Sequence, residues 1–216
     1  VCDLARPPVG HRGRADGGGS NVIDTLQTLR QHQLVILRRL RSLGQGRLRL
    51  ILITHAHFDH YGSAACLRRL TGAPVAIHRA DAEAMARGES PLGSVRGWGR
   101  VGRALFSLAG PLLRPEPTPA DLLLDDGQDL GPYGLDGLVV HTPGHTPGSS
   151  ALLVAGRLAF VGDLVTATGR PRAQSVYADD WSLIPGSLAR LQALKPEWVY
   201  AGHGFRPLSG EAFQRL

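Results

Sequence analysis

The stretch at residues 50–65, LILITHAHFDHYGSAA, sets three histidines and an aspartate within six residues, directly behind an apolar run. The preceding RLRLILIT, residues 47–54, is rich in Leu and Ile and reads as a buried strand. The histidines therefore belong to the turn at a strand end. His55, His57 and Asp59 occupy alternating positions and project similarly if the backbone stays extended, with His60 beside them. Packing such groups together is unfavourable unless a cation compensates them. Neutral imidazole and ionised carboxylate are ligands for Zn²⁺ and related ions, on which their lone pairs converge.

Three further candidates stand at predicted strand ends: His145 in HTPGHTPGS, Asp163 in AFVGDLVT and His203 in VYAGHGF. Each is flanked by glycine or proline turns that let the backbone come close to an ion. Seven candidates are too many for one tetrahedral ion and suit two, with one carboxylate shared. His11, His32, His78 and His141 have no such neighbours and read as ordinary, His78 as a strand-end residue and His141 as a support for the site.

Around these motifs the chain reads as one catalytic domain over residues 21–216 behind an irregular Gly- and Arg-rich arm at 1–20. NVIDT (21–25) suggests a short strand and residues 26–44 a helix. A helix is expected at 63–70 and a strand at 73–78. Residues 81–119 form a helical insertion, whose segment from Trp98 to Leu113 packs on the domain or covers the site as a lid. The second half turns to strands separated by Gly and Pro, with a helix near 182–194 and a last strand in EWVYAGHG. Alternating strands and helices predict an α/β arrangement of helices layered on sheet.

Composition narrows the class further. The chain has 24 basic and 18 acidic residues, and every basic residue except Lys195 is arginine. No basic run with interleaved aromatics occurs, so no nucleic-acid partner is expected. No apolar stretch reaches the length of a membrane span, and no hydrophobic signal core is visible. Cys2 and Cys66 are expected to stay unbridged bystanders. A soluble, cytoplasmic protein is the expectation.

In order, THAHFDH, TPGHTPGS, GD and GHG resemble the metallo-β-lactamase superfamily, in particular its glyoxalase II-like hydrolases. The resemblance implies a four-layer αβ/βα sandwich with a dinuclear site along one edge. It implies that His55, His57 and His145 bind a first metal, that Asp59, His60 and His203 bind a second, and that Asp163 bridges them. NVIDT is similar to an early strand of the family ending in Asp-Thr-Gly, which makes Asp24 a support for the site and not a ligand. Only the arm precedes that segment, so the first sheet is expected to lack N-terminal strands. Two zinc ions are implied, with iron or manganese as alternatives, and Asp59 as the catalytic carboxylate that orients a metal-bridging hydroxide. The implied reaction is hydrolysis of a small ester, thioester or lactone. The alternatives are a mononuclear iron oxidoreductase resembling the sulfur dioxygenases, and a phosphodiesterase of the same fold. The partner is a small-molecule substrate, with a hydrophobic acyl part if the segment from Trp98 to Leu113 lines its pocket. The sequence leaves the oligomeric state open, a dimer included.

Overall fold

The computed structural model describes residues 48–97, 99, 114–204 and 206–216. The arm, the strand and helix expected over 21–44, Asp24, and nearly all of the segment from Trp98 to Leu113 lie outside them. In chain order the elements are β1 (Ile51–Ile53), α1 (Phe58–Tyr61), α2 (Ala64–Thr71), β2 (Val75–His78), α3 (Arg79–Ala86), β3 (Ser94–Val95), β4 (Leu122–Leu124) and β5 (Gly137–His141). They continue with β6 (Ser150–Val154), β7 (Leu158–Phe160), β8 (Val165–Ala167), β9 (Arg172–Ala173), β10 (Tyr177–Ala178), α4 (Ile184–Ala193), β11 (Trp198–Tyr200), β12 (His203–Gly204), β13 (Leu208–Ser209) and α5 (Gly210–Gln214).

The first sheet is parallel, in the order β1-β2-β4. Every residue of β2 is buried, the signature of a strand covered on both faces. On one face α2 and α3 enclose Ile51, Ile53, Leu67, Val75, Ile77 and Met85. The chain leaves α2 through Gly72, whose φ of 71° supplies the left-handed cap that stops the helix. On the other face Ala76 and Leu124 meet Val139 and Leu130, with Leu152 packed beside them.

Those last contacts join the second sheet, ordered β13-β11-β7-β6-β5. Register sorts its side chains: Val139 pairs with Leu152 on the inner face, while Val140 pairs with Ala151 on the outer one. The outer face, with Leu153, Ala159 and Val199, packs under Leu188 and Leu191 of α4 and Phe213 of α5. The layers therefore run helix, sheet, sheet, helix, the αβ/βα sandwich expected from the motifs.

Two small sheets, β12-β8-β9 and β10-β3, extend one end of the sandwich. In the described part of the expected helical insertion, α3 is helical, whereas Ser94–Val95 is a strand paired with Tyr177–Ala178. No helix among the described residues is long and apolar enough to cross a membrane. Cys66, buried on α2, is disulfide-bonded. This corrects the expectation of an unbridged cysteine and removes the support it lent to a reducing compartment. The chain's other cysteine, Cys2, lies outside the described residues.

Candidate metal centre

Strands β5, β7 and β11 run in one direction through the second sheet. The turns after them carry His145, Asp163 and His203, and the turn after β1 carries His55 to His60. All seven candidates thus meet at one edge of the sandwich, in three overlapping groups: His55, His57 and His145; His55, His60 and Asp163; and Asp59, His60 and His203.

The first group is the most informative. His55 Nε2, His57 Nδ1 and His145 Nε2 lie 3.0–3.2 Å from one another, and all three residues are buried. The far side of each ring fixes what faces inward. His57 donates from Nε2 to the Pro91 carbonyl at 2.8 Å, and His145 donates from Nδ1 to the Tyr177 carbonyl at 2.8 Å. In the neutral rings, His57 Nδ1 and His145 Nε2 then confront each other as lone pairs 3.0 Å apart. The Thr54 hydroxyl stands 3.2 Å from His55 Nδ1, placed to hold that ring the same way. Protonation offers no relief: burial, reinforced by neighbouring histidines, holds His55 far below the ordinary imidazole value and His145 at about 4. Unpaired buried acceptors cost about 1–3 kcal/mol each. A cation among the three nitrogens removes that cost.

A second orphan points the same way. His60 Nε2 and Asp163 Oδ1 are buried and 3.2 Å apart, yet their geometry gives neither a hydrogen bond. An ion between them satisfies both. Around it, His203 Nε2 lies 3.1 Å from Asp59 Oδ2 and 3.3 Å from Asp163 Oδ2, and Asp163 Oδ2 lies 3.6 Å from His145 Nε2. Asp163 is thus the carboxylate within reach of both sets. Burial opposes its ionisation, but His203 and the neighbouring His60 outweigh it and hold the carboxyl well below the usual range. Asp59 is held low in the same way, burial being outweighed chiefly by His203. Hydrogen bonds to Asp163 and Asp59 push His203 up to about 10. His203 thus lies between two carboxylates, Asp59 and Asp163, that favour its charged form.

Extended backbone does not continue through Asp59 as the alternation suggested. His57 caps α1, a single turn that groups Asp59 with His60 and His203 while keeping the His60 ring against His55, with centroids 4.0 Å apart. Four residues cannot hold a helix by themselves. Tyr61, fully buried, donates to the Glu89 carbonyl at 2.8 Å, and the Phe58 amide donates to Ser90 Oγ at 2.9 Å. The loop from Glu89 to Pro91 thus supports α1 and His57 together, a role the sequence did not signal.

Among the described residues, the remaining histidines are His78 and His141. His78 ends β2 and caps α3. His141 stacks on His78 with ring centroids 4.0 Å apart and donates to the Pro147 carbonyl at 2.8 Å, steadying the turn that carries His145. Asp24 lies outside the described residues.

Residues 14–203 match the family model described as the metallo-beta-lactamase superfamily. The chain belongs to that superfamily. It is 31% identical over 191 residues to a probable metallo-hydrolase of Burkholderia pseudomallei, covering 83% of this chain and 59% of that protein. It is also 31% identical over 161 residues to a hydroxyacylglutathione hydrolase of Cereibacter sphaeroides, covering 74% of this chain and 49% of that enzyme. The chain therefore spans roughly half to three fifths of the length of these curated relatives. Among solved structures it is similar to TTHA1623 in a di-iron-bound form, with 29% identity, a TM-score of 0.60 and coverage of 83% and 81% of the two chains. It is likewise similar to the BLEG-1 B3 metallo-beta-lactamase, with 26% identity, a TM-score of 0.61 and coverage of 85% and 82%.

Proposed function

We propose that this chain is a dinuclear metal-dependent hydrolase acting on a small ester, thioester or lactone. The observation that carries the reading is the trio of inward imidazole nitrogens 3.0–3.2 Å apart, two of them fixed as lone-pair donors by carbonyls behind the rings. In this reading His55, His57 and His145 hold one ion, Asp59, His60 and His203 hold the other, and Asp163 lies between. A bound metal pair supplies an activated water and polarises the substrate carbonyl.

The residues contribute position and charge. Asp59 and His203 are the members that solvent reaches, with side chains 35% and 49% exposed, so substrate approaches on their side. Asp59, held below the ordinary carboxylate value, is a weak proton store and a good acceptor. Its role is to orient the attacking water by accepting a hydrogen bond from it. The buried histidines keep the opposite wall dry, which strengthens each charge interaction at the reacting carbonyl. No protein nucleophile is needed: Ser149 is buried and bonded to Thr146, and Ser150 opens β6.

A thioester substrate is favoured by the similarity to hydroxyacylglutathione hydrolases. Two zinc ions are the first choice of metal, and iron is the alternative given the di-iron form of TTHA1623. The test is metal analysis of protein purified without added metal, followed by a panel of thioesters, lactones and phosphodiesters. Two ions per chain and thioester or lactone turnover are expected. A single iron with oxygen consumption would replace this reading with the oxidoreductase one, and turnover confined to phosphodiesters would overturn the substrate class.

A further inference from the structure

Asp81 is not among the candidate ligands, yet every member of the three-histidine set has a chain neighbour bonded to it. We propose that Asp81 is a positioning residue that fixes the spacing between the His55/His57 turn and the His145 turn, and thereby the geometry of the three-nitrogen site. The proposal rests on the metal reading above.

The carboxylate is 3% exposed and reaches two separate turns. Oδ2 accepts from the Ala56 amide at 2.8 Å and from the Thr146 hydroxyl at 2.7 Å, while Oδ1 accepts from the Gly148 amide at 2.6 Å. Ala56 stands between His55 and His57, and Thr146 follows His145. The bonding is closed as well as buried. Ser149 Oγ accepts from the Thr146 amide at 3.0 Å and lies 2.8 Å from the Thr146 hydroxyl, so with the Thr146 proton committed to Asp81 the Ser149 hydroxyl donates back.

Asp81 itself is held by the first turn of α3, which follows the buried strand β2 directly. Two separate turns are thus referred to one helix start, the arrangement that keeps an ion site within tolerance. Gly148 shows how closely the turn is pressed to the helix start: a Cβ there would lie 2.6 Å from Asp81 Cγ and 2.7 Å from its backbone nitrogen.

A carboxylate is required at this point. Backbone N–H donors face both of its oxygens, so an asparagine would turn its own NH₂ against either Ala56 or Gly148. The substitution Asp81→Asn therefore breaks one tether while keeping shape and volume.

The test uses metal-free protein carrying His203→Ala, which disables the second set. Co²⁺ alone is titrated in, and binding is read by d–d absorption and equilibrium dialysis. Adding Asp81→Asn should raise the Kd of the remaining equivalent by about 10- to 100-fold and alter the absorption band, with circular dichroism unchanged. Thr146→Val, which removes one of the three bonds, should raise it by a smaller factor. A Kd within twofold of the parent and an identical band would overturn the proposal. If Asp81→Asn does not fold, Thr146→Val and Gly148→Ala decide the question by the same measurement, and parental Kd values in both would overturn it. A parent that binds no Co²⁺ overturns the metal reading and this proposal together, whereas equal binding by parent and variant overturns this proposal alone.

Discussion

Replacing Gly202 by alanine tests the candidate centre where it is most crowded. Gly202 immediately precedes His203, and its amide donates to the Gly162 carbonyl at 2.7 Å. A Cβ at this position would stand 2.5 Å from Asp163 Oδ1 and 2.6 Å from His60 Cε1. The φ angle is not in the left-handed region, so the effect is purely steric. Restoring an ordinary 3.4 Å contact requires Asp163 or the 202–203 backbone to retreat by about 0.9 Å, against a tolerance of about 0.5 Å for a working site. Overpacking of this kind costs about 1–3 kcal/mol, equivalent to one or two decades in Kd if the second set bears it. No atom of the three first-set imidazoles comes nearer than 3.2 Å to the new methyl. Gly202→Ala should therefore keep one metal equivalent after dialysis, lose the other, and turn over about 10²-fold more slowly. The measurements are metal content by mass spectrometry and kcat on whichever ester or thioester the wild type hydrolyses. Two retained equivalents with near-normal kcat would refute the reasoning, and so would loss of both equivalents in a folded protein.

Asp59→Ala should abolish turnover while leaving the melting temperature of the metal-free protein within a few degrees, whereas His141→Ala should retain most activity; equal losses in kcat would undo the distinction drawn between them. Because His203 is held protonated up to about pH 10 in the metal-free protein, filling the second set must expel one proton, and its affinity should rise as pH increases from 7 to 9. Calorimetry in buffers of different ionisation enthalpy would show that release, and its absence would contradict the assigned charge state. His55 and His145, whose imidazoles burial holds below the ordinary value, should contribute no such release. Removing metal with a chelator should lower the melting temperature, since an ion present at 1,000 times its Kd stabilises the fold by about 4 kcal/mol; an unchanged melting curve would argue against tight native-state binding.

The ligand candidates were legible because their chemistry is conspicuous: histidine and aspartate next to glycine or proline turns at the ends of apolar strands. The layered fold was legible for a related reason, since the apolar residues of 50–53 and 75–77 read as strands and alternate with helical segments. What stayed hidden was short or remote. Four residues of α1 carry no periodicity, so nothing marked a helical turn within the loop after β1. Asp81 resembles any acidic residue in the first turn of a helix, and nothing local reveals that its oxygens reach amides 25 and 67 residues away. The support of α1 by Glu89 and Ser90 was invisible for the same reason. Cys66 was misjudged because its surroundings say nothing about a distant thiol.

The route of the chain through the sandwich gives the centre a history. As the polypeptide emerges from the ribosome, the three imidazoles can converge once β1, β2, α3 and the β5–β6 hairpin have formed. His203 comes later, and reaches the site only after β11 has paired with β7 and β12 with β8. If the proposed ligand sets hold ions, a nascent chain would complete the first set well before the second. On the proposed two-ion reading, the first ion would clamp the two sheets early, and the second would be acquired only when β11 and β12 have paired, so its occupancy would report that those strands have docked.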